Sequence, residues 1–182
     1  MTAATAPRPL LGVRHGRRTG VIAGALCAVV LALGGCGSGG TPPTTTTAAM
    51  ATADVGRAYD TLFDFADTSV SAKTAVIQDG ATLRAALTQA LSSSLAKSAT
   101  GARVDDVTLL DGGACRSLPL PSPCAKVTYD LLGANAQPLF PTPSTGYALS
   151  VGGHWLVAKS TICSLLGLFY SASGRSGTPP GC

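Results

Sequence analysis

"ARVDDVTLL", residues 102–110, is where the chain changes its period. Asp105, Val107 and Leu109 alternate with Asp106, Thr108 and Leu110, and a repeat of two puts successive side chains on opposite faces of a strand. The same alternation returns in "CAKVTYDLL", residues 124–132, where Val127, Tyr129 and Leu131 alternate with Thr128, Asp130 and Leu132. It returns again in "GYALSV", residues 146–151, with Tyr147, Leu149 and Val151 against Ala148 and Ser150. Gly152-Gly153 reads as a hairpin turn, and "HWLVAK", residues 154–159, as the strand that leaves it.

On either side of these strands the spacing is helical. "ATADVGRAYDTLFDFAD", residues 51–67, carries Val55, Tyr59, Leu62, Phe63 and Ala66 on one face, with Thr52 as its expected N-cap. "SVSAKTAVIQDG" reads as a short helix stopped at Asp79-Gly80, and "ATLRAALTQALSS" as another with Leu83, Leu87 and Leu91 aligned. After the strands, "STICSLLGLFYSASG", residues 160–174, places Ile162, Leu165, Leu166 and Phe169 on one face. Ser160 is its expected N-cap, and Gly174 lies near its stop. Helices, then hairpin-linked strands, then a closing helix make an α+β fold, with the helices layered on an antiparallel sheet of about four strands. One domain is expected over residues 53–182, and no internal repeat is evident.

Charge narrows the partners. The chain carries 13 Lys+Arg against 9 Asp+Glu and has no Glu. Four of the basic residues (Arg8, Arg14, Arg17, Arg18) precede residue 20, and the remainder is balanced. Nucleic-acid binding and a polybasic membrane patch both need clustered Lys or Arg. Neither is expected here.

Residues 1–20 form a basic n-region, followed by 13 uncharged residues from Val21 to Leu33. At about 1.5 Å per residue that run spans roughly 20 Å, short of a ~30 Å hydrocarbon core, so it suits the h-region of an export signal. Arg17-Arg18 is followed by Thr-Gly-Val, a poor match to twin-arginine export, and the general pathway is favoured. The end of the run, Leu33-Gly34-Gly35-Cys36, resembles the lipobox of bacterial lipoproteins. The resemblance implies a signal peptide over residues 1–35, cleavage before Cys36, and a diacylglyceryl thioether on the Cys36 thiol, giving a lipid-anchored protein on the outer side of the cell membrane. Cys27 is then discarded with the leader. Residues 36–52, including "GSGGTPPTTTTAAMAT", read as the lipidated Cys and a flexible tether whose Thr and Pro would also suit O-glycosylation.

Four cysteines remain: Cys115, Cys124, Cys163 and Cys182. In an exported protein they are expected as disulfides, and four allow three connectivities. Cys115 and Cys124 flank "RSLPLPSP" between two strands, so their bridge would close a Pro-rich hairpin loop. Cys163–Cys182 would then pin the tail "GRSGTPPG" to the last helix, and this pairing is favoured over the other two. No metal site is expected, since His154 is the single His beyond the leader and no CxxC occurs.

"AYDTLFDFADTSVSAKTAVIQDGATLRAALTQAL", the strands and "VGGHWLVAKSTICSLL" together resemble the C-terminal domain of the mycobacterial low-molecular-weight secreted antigen and its actinobacterial lipoprotein relatives. The likeness spans about residues 53–172. Its marks are Tyr59-Asp60-x-Leu62-Phe63, Gln78-Asp79-Gly80 and Gly153-x-Trp155-x-Val157. The resemblance implies a cystatin-like cone related to nuclear-transport-factor and SnoaL-like domains, in which helices cover a curved sheet. It implies no established reaction.

Cones of this shape also host isomerases and dehydratases that work with an Asp or His base and a Tyr donor. Here Tyr59, Asp60 and Asp64 fall on the first helix, Tyr129 and Asp130 on a strand, and His154 beside a turn, and they form no recognisable dyad. Tyr59 reads as core, Asp60 and Asp64 as solvated, and His154 as an exposed hairpin residue. No GxSxG, Walker or dinucleotide motif is present. The expectation is a non-enzymatic, cofactor-free envelope protein that binds a ligand or a protein partner. Alternatives are a carrier or sensor of an apolar envelope ligand inside the cone, or a SnoaL-like isomerase or hydratase.

Overall fold

The computed structural model describes residues 45–182. The expected leader with Cys27, the lipobox-like stretch with Cys36 and the expected tether up to residue 44 lie outside the described residues.

Helix α1 (Thr45–Phe63) starts seven residues before the expected cap, so Thr52 is an exposed helix residue and the last part of the expected tether is helical. Ala48, Ala49, Ala51 and Ala53 are strong helix formers, and they let the helix begin within the Thr run. It stops at Phe63, short of Asp67, because the Asp64 carboxylate accepts from the backbone N–H groups of Ala66 and Asp67 at 3.0 and 3.2 Å. A short polar side chain thus offers the backbone a turn in place of another helical bond.

Helix α2 (Val70–Ala75) is capped by Ser69, whose hydroxyl accepts from Ala72. A 3₁₀ turn (Gly80–Leu83) leads into α3 (Arg84–Leu91). The helix expected over residues 81–93 is present as that 3₁₀ turn and α3, and it stops at Leu91. Ser93 caps a separate helix, α4 (Ser94–Ser98), by accepting from Ala96 at 3.1 Å.

The strands are β1 (Gly101–Leu110), β2 (Cys124–Leu132), β3 (Ser144–Val151) and β4 (His154–Val157), in the order β1-β2-β3-β4 and all antiparallel. A bulge between Val104 and Asp106 shifts the β1 register. Gly152 and Gly153, at φ 59° and 84°, make the two-residue turn between Val151 and His154, the left-handed conformation that hairpins of this length require. α1 packs on both edge strands, β1 and β4, so the open sheet curls around it. The main core lies in that concavity, where Val55, Tyr59, Leu62 and Phe63 of α1 meet Val127, Tyr129, Leu131, Ala148 and Val157.

The outer face carries a second core that the sequence gives little notice of. Leu149 of β3 points away from α1 and joins Cys115, Leu120, Cys124 and Ala158. This cluster is closed by helix α5 (Gly112–Ser117), which occupies what reads in sequence as an open loop. Asp111 caps α5, its carboxylate accepting from Gly113 and Ala114 at 2.7 and 2.8 Å. Cys115 and Cys124 are bonded there, with an S–S distance of 2.08 Å. Helix α6 (Lys159–Ala172) begins after Ala158, so Ser160 is not its cap. It ends in a Schellman motif, with Gly174 N–H bonded to Ser171 C=O and Arg175 N–H to Tyr170 C=O. Beyond it Cys182 is bonded to Cys163 and Pro179 is buried, which pins the tail as the sequence anticipates.

Candidate functional site

Helical spacing turns Tyr59 inward, where it is fully buried. Its ring meets Tyr129 edge-on at 5.3 Å, and Phe63 stacks on Tyr129 at the same separation. The Tyr59 hydroxyl donates to the backbone carbonyl of Tyr147 at 3.3 Å. Thr161 supports that strand by accepting from the Tyr147 N–H at 2.7 Å. Gly146 makes the approach feasible, since a Cβ there would collide with the Tyr59 hydroxyl and lie 2.6 Å from the Thr161 methyl. Burial, with the neighbouring Tyr129 adding to it, pushes the Tyr59 phenol far above its ordinary value, against a smaller opposing effect of Thr161. Burial raises Tyr129 as well. One phenol bound to backbone and the other beside the Ser144 side chain, packed ring on ring, organise a core.

Lys73 is the one buried cation among the described residues, and the sequence reading passed over it. Its place on the inward face of α2, three residues after Val70 and four before Ile77, is the signal that was available. The ammonium donates to the carbonyls of Leu62 and Asp64 at 3.0 and 2.6 Å, and more weakly to Thr61, where α1 leaves carbonyls without helical partners. Burial lowers the Lys73 pKa, and the nearby Asp64 and Asp67 carboxylates oppose that shift. It borders a cavity between Leu62, Phe63, Phe65, Leu87, Ile162 and Phe169 of about 30 Å³, no more than the space of a water or two.

The larger concavities lie on the surface, along α1. Asp54, Arg57, Thr61, Val76, His154 and Trp155 line a polar groove of about 290 Å³. Ala48, Ala51, Leu109, Leu110, Pro123 and Trp155 line an apolar one of about 330 Å³. Trp155 lines both. Asp54 and Arg57 form an ion pair one turn apart. The His154 side chain is exposed and has no hydrogen-bond partner among the described residues, so the groove offers donors, acceptors and an aromatic face.

A family model for the C-terminal domain of the low molecular weight antigen MTB12 matches residues 47–173. The chain belongs to that family. The match runs from the first turn of α1 to the C-cap of α6, so the MTB12-type domain takes in both cores and both grooves and leaves the Cys182 tail outside. Searches of curated proteins and of solved structures return no match.

The polar residues singled out in the sequence do not converge in this MTB12-type domain. Asp60 and Asp64 are exposed on or just beyond α1. Asp130 is buried and accepts from the Arg103 guanidinium at 2.6 Å, while Arg103 also holds Asp105 at 2.7 Å across the bulge. His154 reaches the polar groove; Tyr59 and Tyr129 stay in the core. Among the described residues no cluster of three His, Cys, Asp or Glu side chains is placed to hold a metal ion, and no helix is long and apolar enough to cross a membrane.

Proposed function

We propose that the protein is a lipid-anchored component of the cell envelope whose MTB12-type domain is a non-catalytic interaction module. The observation that carries the anchoring is the lipobox-like Leu33-Gly34-Gly35-Cys36 behind a short apolar run. Two acyl chains on one residue, at ~0.8 kcal/mol per buried CH₂, hold a domain on a bilayer where one chain holds it only marginally. The interaction reading is supported by where the space lies. The interior cavity holds about 30 Å³, whereas the two surface grooves beside Trp155 hold about 290 and 330 Å³. Space on the surface suits a partner or a flat ligand better than an apolar molecule carried inside.

The test is metabolic labelling of the full chain with an alkynyl fatty acid, in a bacterium that processes prolipoproteins. The wild-type chain takes up label and stays with membranes, while Cys36→Ser loses the label and is released. A wild-type chain without label, or a Cys36→Ser chain that keeps it, overturns the anchoring.

A further inference from the structure

We propose that the apolar groove at the N-terminal end of α1 seats the domain on the lipid surface to which it is anchored. This rests on the anchoring reading above. Eight residues separate Cys36 from Thr45, and those nine steps of chain reach at most about 30 Å. The first turns of α1 therefore stay within about 30 Å of the acylated residue, a distance that lets them reach the headgroups. That end of the domain shows apolar surface, with Met50 63% exposed and Leu109 38%, and a further exposed apolar side chain, Leu168, stands apart on α6. Leu109 is part of the groove, which it lines with Ala48 and Ala51 of α1, Leu110, Pro123 and Trp155, and no charged side chain is among the lining residues; Met50 lies on the same turns of α1. On its other side Trp155 borders the charged groove of Asp54, Arg57 and His154. A Trp between an apolar and a charged surface has the placement that interfacial Trp residues favour. A small patch is enough, because the anchor makes the contact intramolecular and the effective concentration of lipid high.

The experiment uses the full-length acylated chain in vesicles of phosphatidylcholine and phosphatidylglycerol. Trp155 is the single Trp of the chain, so its fluorescence reports this site without labelling. Lipids brominated near the headgroup or near the acyl-chain end serve as quenchers, and flotation of the same samples measures anchoring. The expected result is a loss of Trp155 emission, greater with the shallow bromine. In a Met50→Asp/Leu109→Asp chain that loss disappears while flotation is unchanged. Both positions are exposed, so these substitutions leave the two cores alone. A chain that floats with emission untouched by either lipid overturns the seating and leaves the anchoring intact. Equal quenching in the double variant overturns it too, as does crosslinking of two copies through the groove. A chain that does not float overturns both.

Discussion

Gly146 and Tyr59 depend on each other through a few ångströms of space. The strand residue has no side chain because the helix residue's hydroxyl fills that position. Gly146→Ala overpacks the site and is expected to cost about 2 kcal/mol. Tyr59→Phe removes the hydroxyl and its bond to Tyr147, at about 1 kcal/mol. Because the phenylalanine also vacates part of the space, the double variant should lose about 1 kcal/mol less than the sum of the two. Urea unfolding of the four proteins measures this, and strict additivity would show that the hydroxyl is not what excludes the methyl group. Lys73 poses a sharper balance. Its burial opposes the charge, yet its donors satisfy the Leu62 and Asp64 carbonyls. Lys73→Met keeps the length and removes the donors, and the unmet carbonyls should dominate with a loss of about 1–3 kcal/mol. An unchanged urea midpoint would mean that water or a shifted turn takes over those carbonyls.

At the scale of elements, α6 shows how a helix start can escape a sequence reading. Ala158 has no side chain with which to cap it, and the first turn contains no acidic residue. The cap comes from a distant segment. Residues 76–78 pair with the edge of β4 through Gln78 N–H to Val157 C=O at 2.9 Å and Val157 N–H to Val76 C=O at 2.8 Å. That pairing delivers the Gln78 side-chain oxygen to the Lys159 N–H at 3.2 Å. Gln78→Ala should therefore cost about 1 kcal/mol and speed hydrogen exchange at Lys159. Gln78→Glu should hold or gain stability, since a carboxylate favours a helix N-terminus. A Glu variant as weak as the Ala variant would show that the oxygen is not acting as a cap. Ser160 looked like the cap because local sequence shows only local donors. For the same reason the four strands, the Gly152-Gly153 turn and the Gly174 stop were legible: alternation, paired glycines and a terminal glycine are local patterns. The inward face of β3 was not legible. Its larger residues Tyr147 and Leu149 face outward, and Gly146 and Ala148 face in, because α1 leaves room only for small side chains. The candidate grooves were hidden for a related reason. Trp155 and His154 were noticed as neighbours in sequence, but their meeting with Asp54 and Arg57 depends on the sheet curling around α1.

For the molecule as a whole, the two disulfides hold different things. Cys115 and Cys124 are completely buried in the outer core, so their bridge is part of the packing between α5, β2 and β3. Cys182 is exposed and Cys163 half-buried, and their bridge ties down a tail that lies outside the stretch matched by the MTB12 family model. The chain-entropy relation assigns similar gains to both, about 2.5 kcal/mol for a separation of 9 and about 3 kcal/mol for 19. Access to reductant should differ far more than those figures do. Under native conditions a mild thiol is expected to open Cys163–Cys182 first, with the melting temperature falling by roughly 10 °C and the cooperative transition retained. Cys115–Cys124 should then resist alkylation until the domain unfolds as a whole, because a thiolate cannot reach a sulfur sealed between two layers. Timed alkylation with peptide mapping separates the two pairs. Simultaneous labelling of all four cysteines would show that the outer core opens as readily as the tail. It would follow that α5 is a loose flap on the sheet, and that the two cores do not fold as one unit.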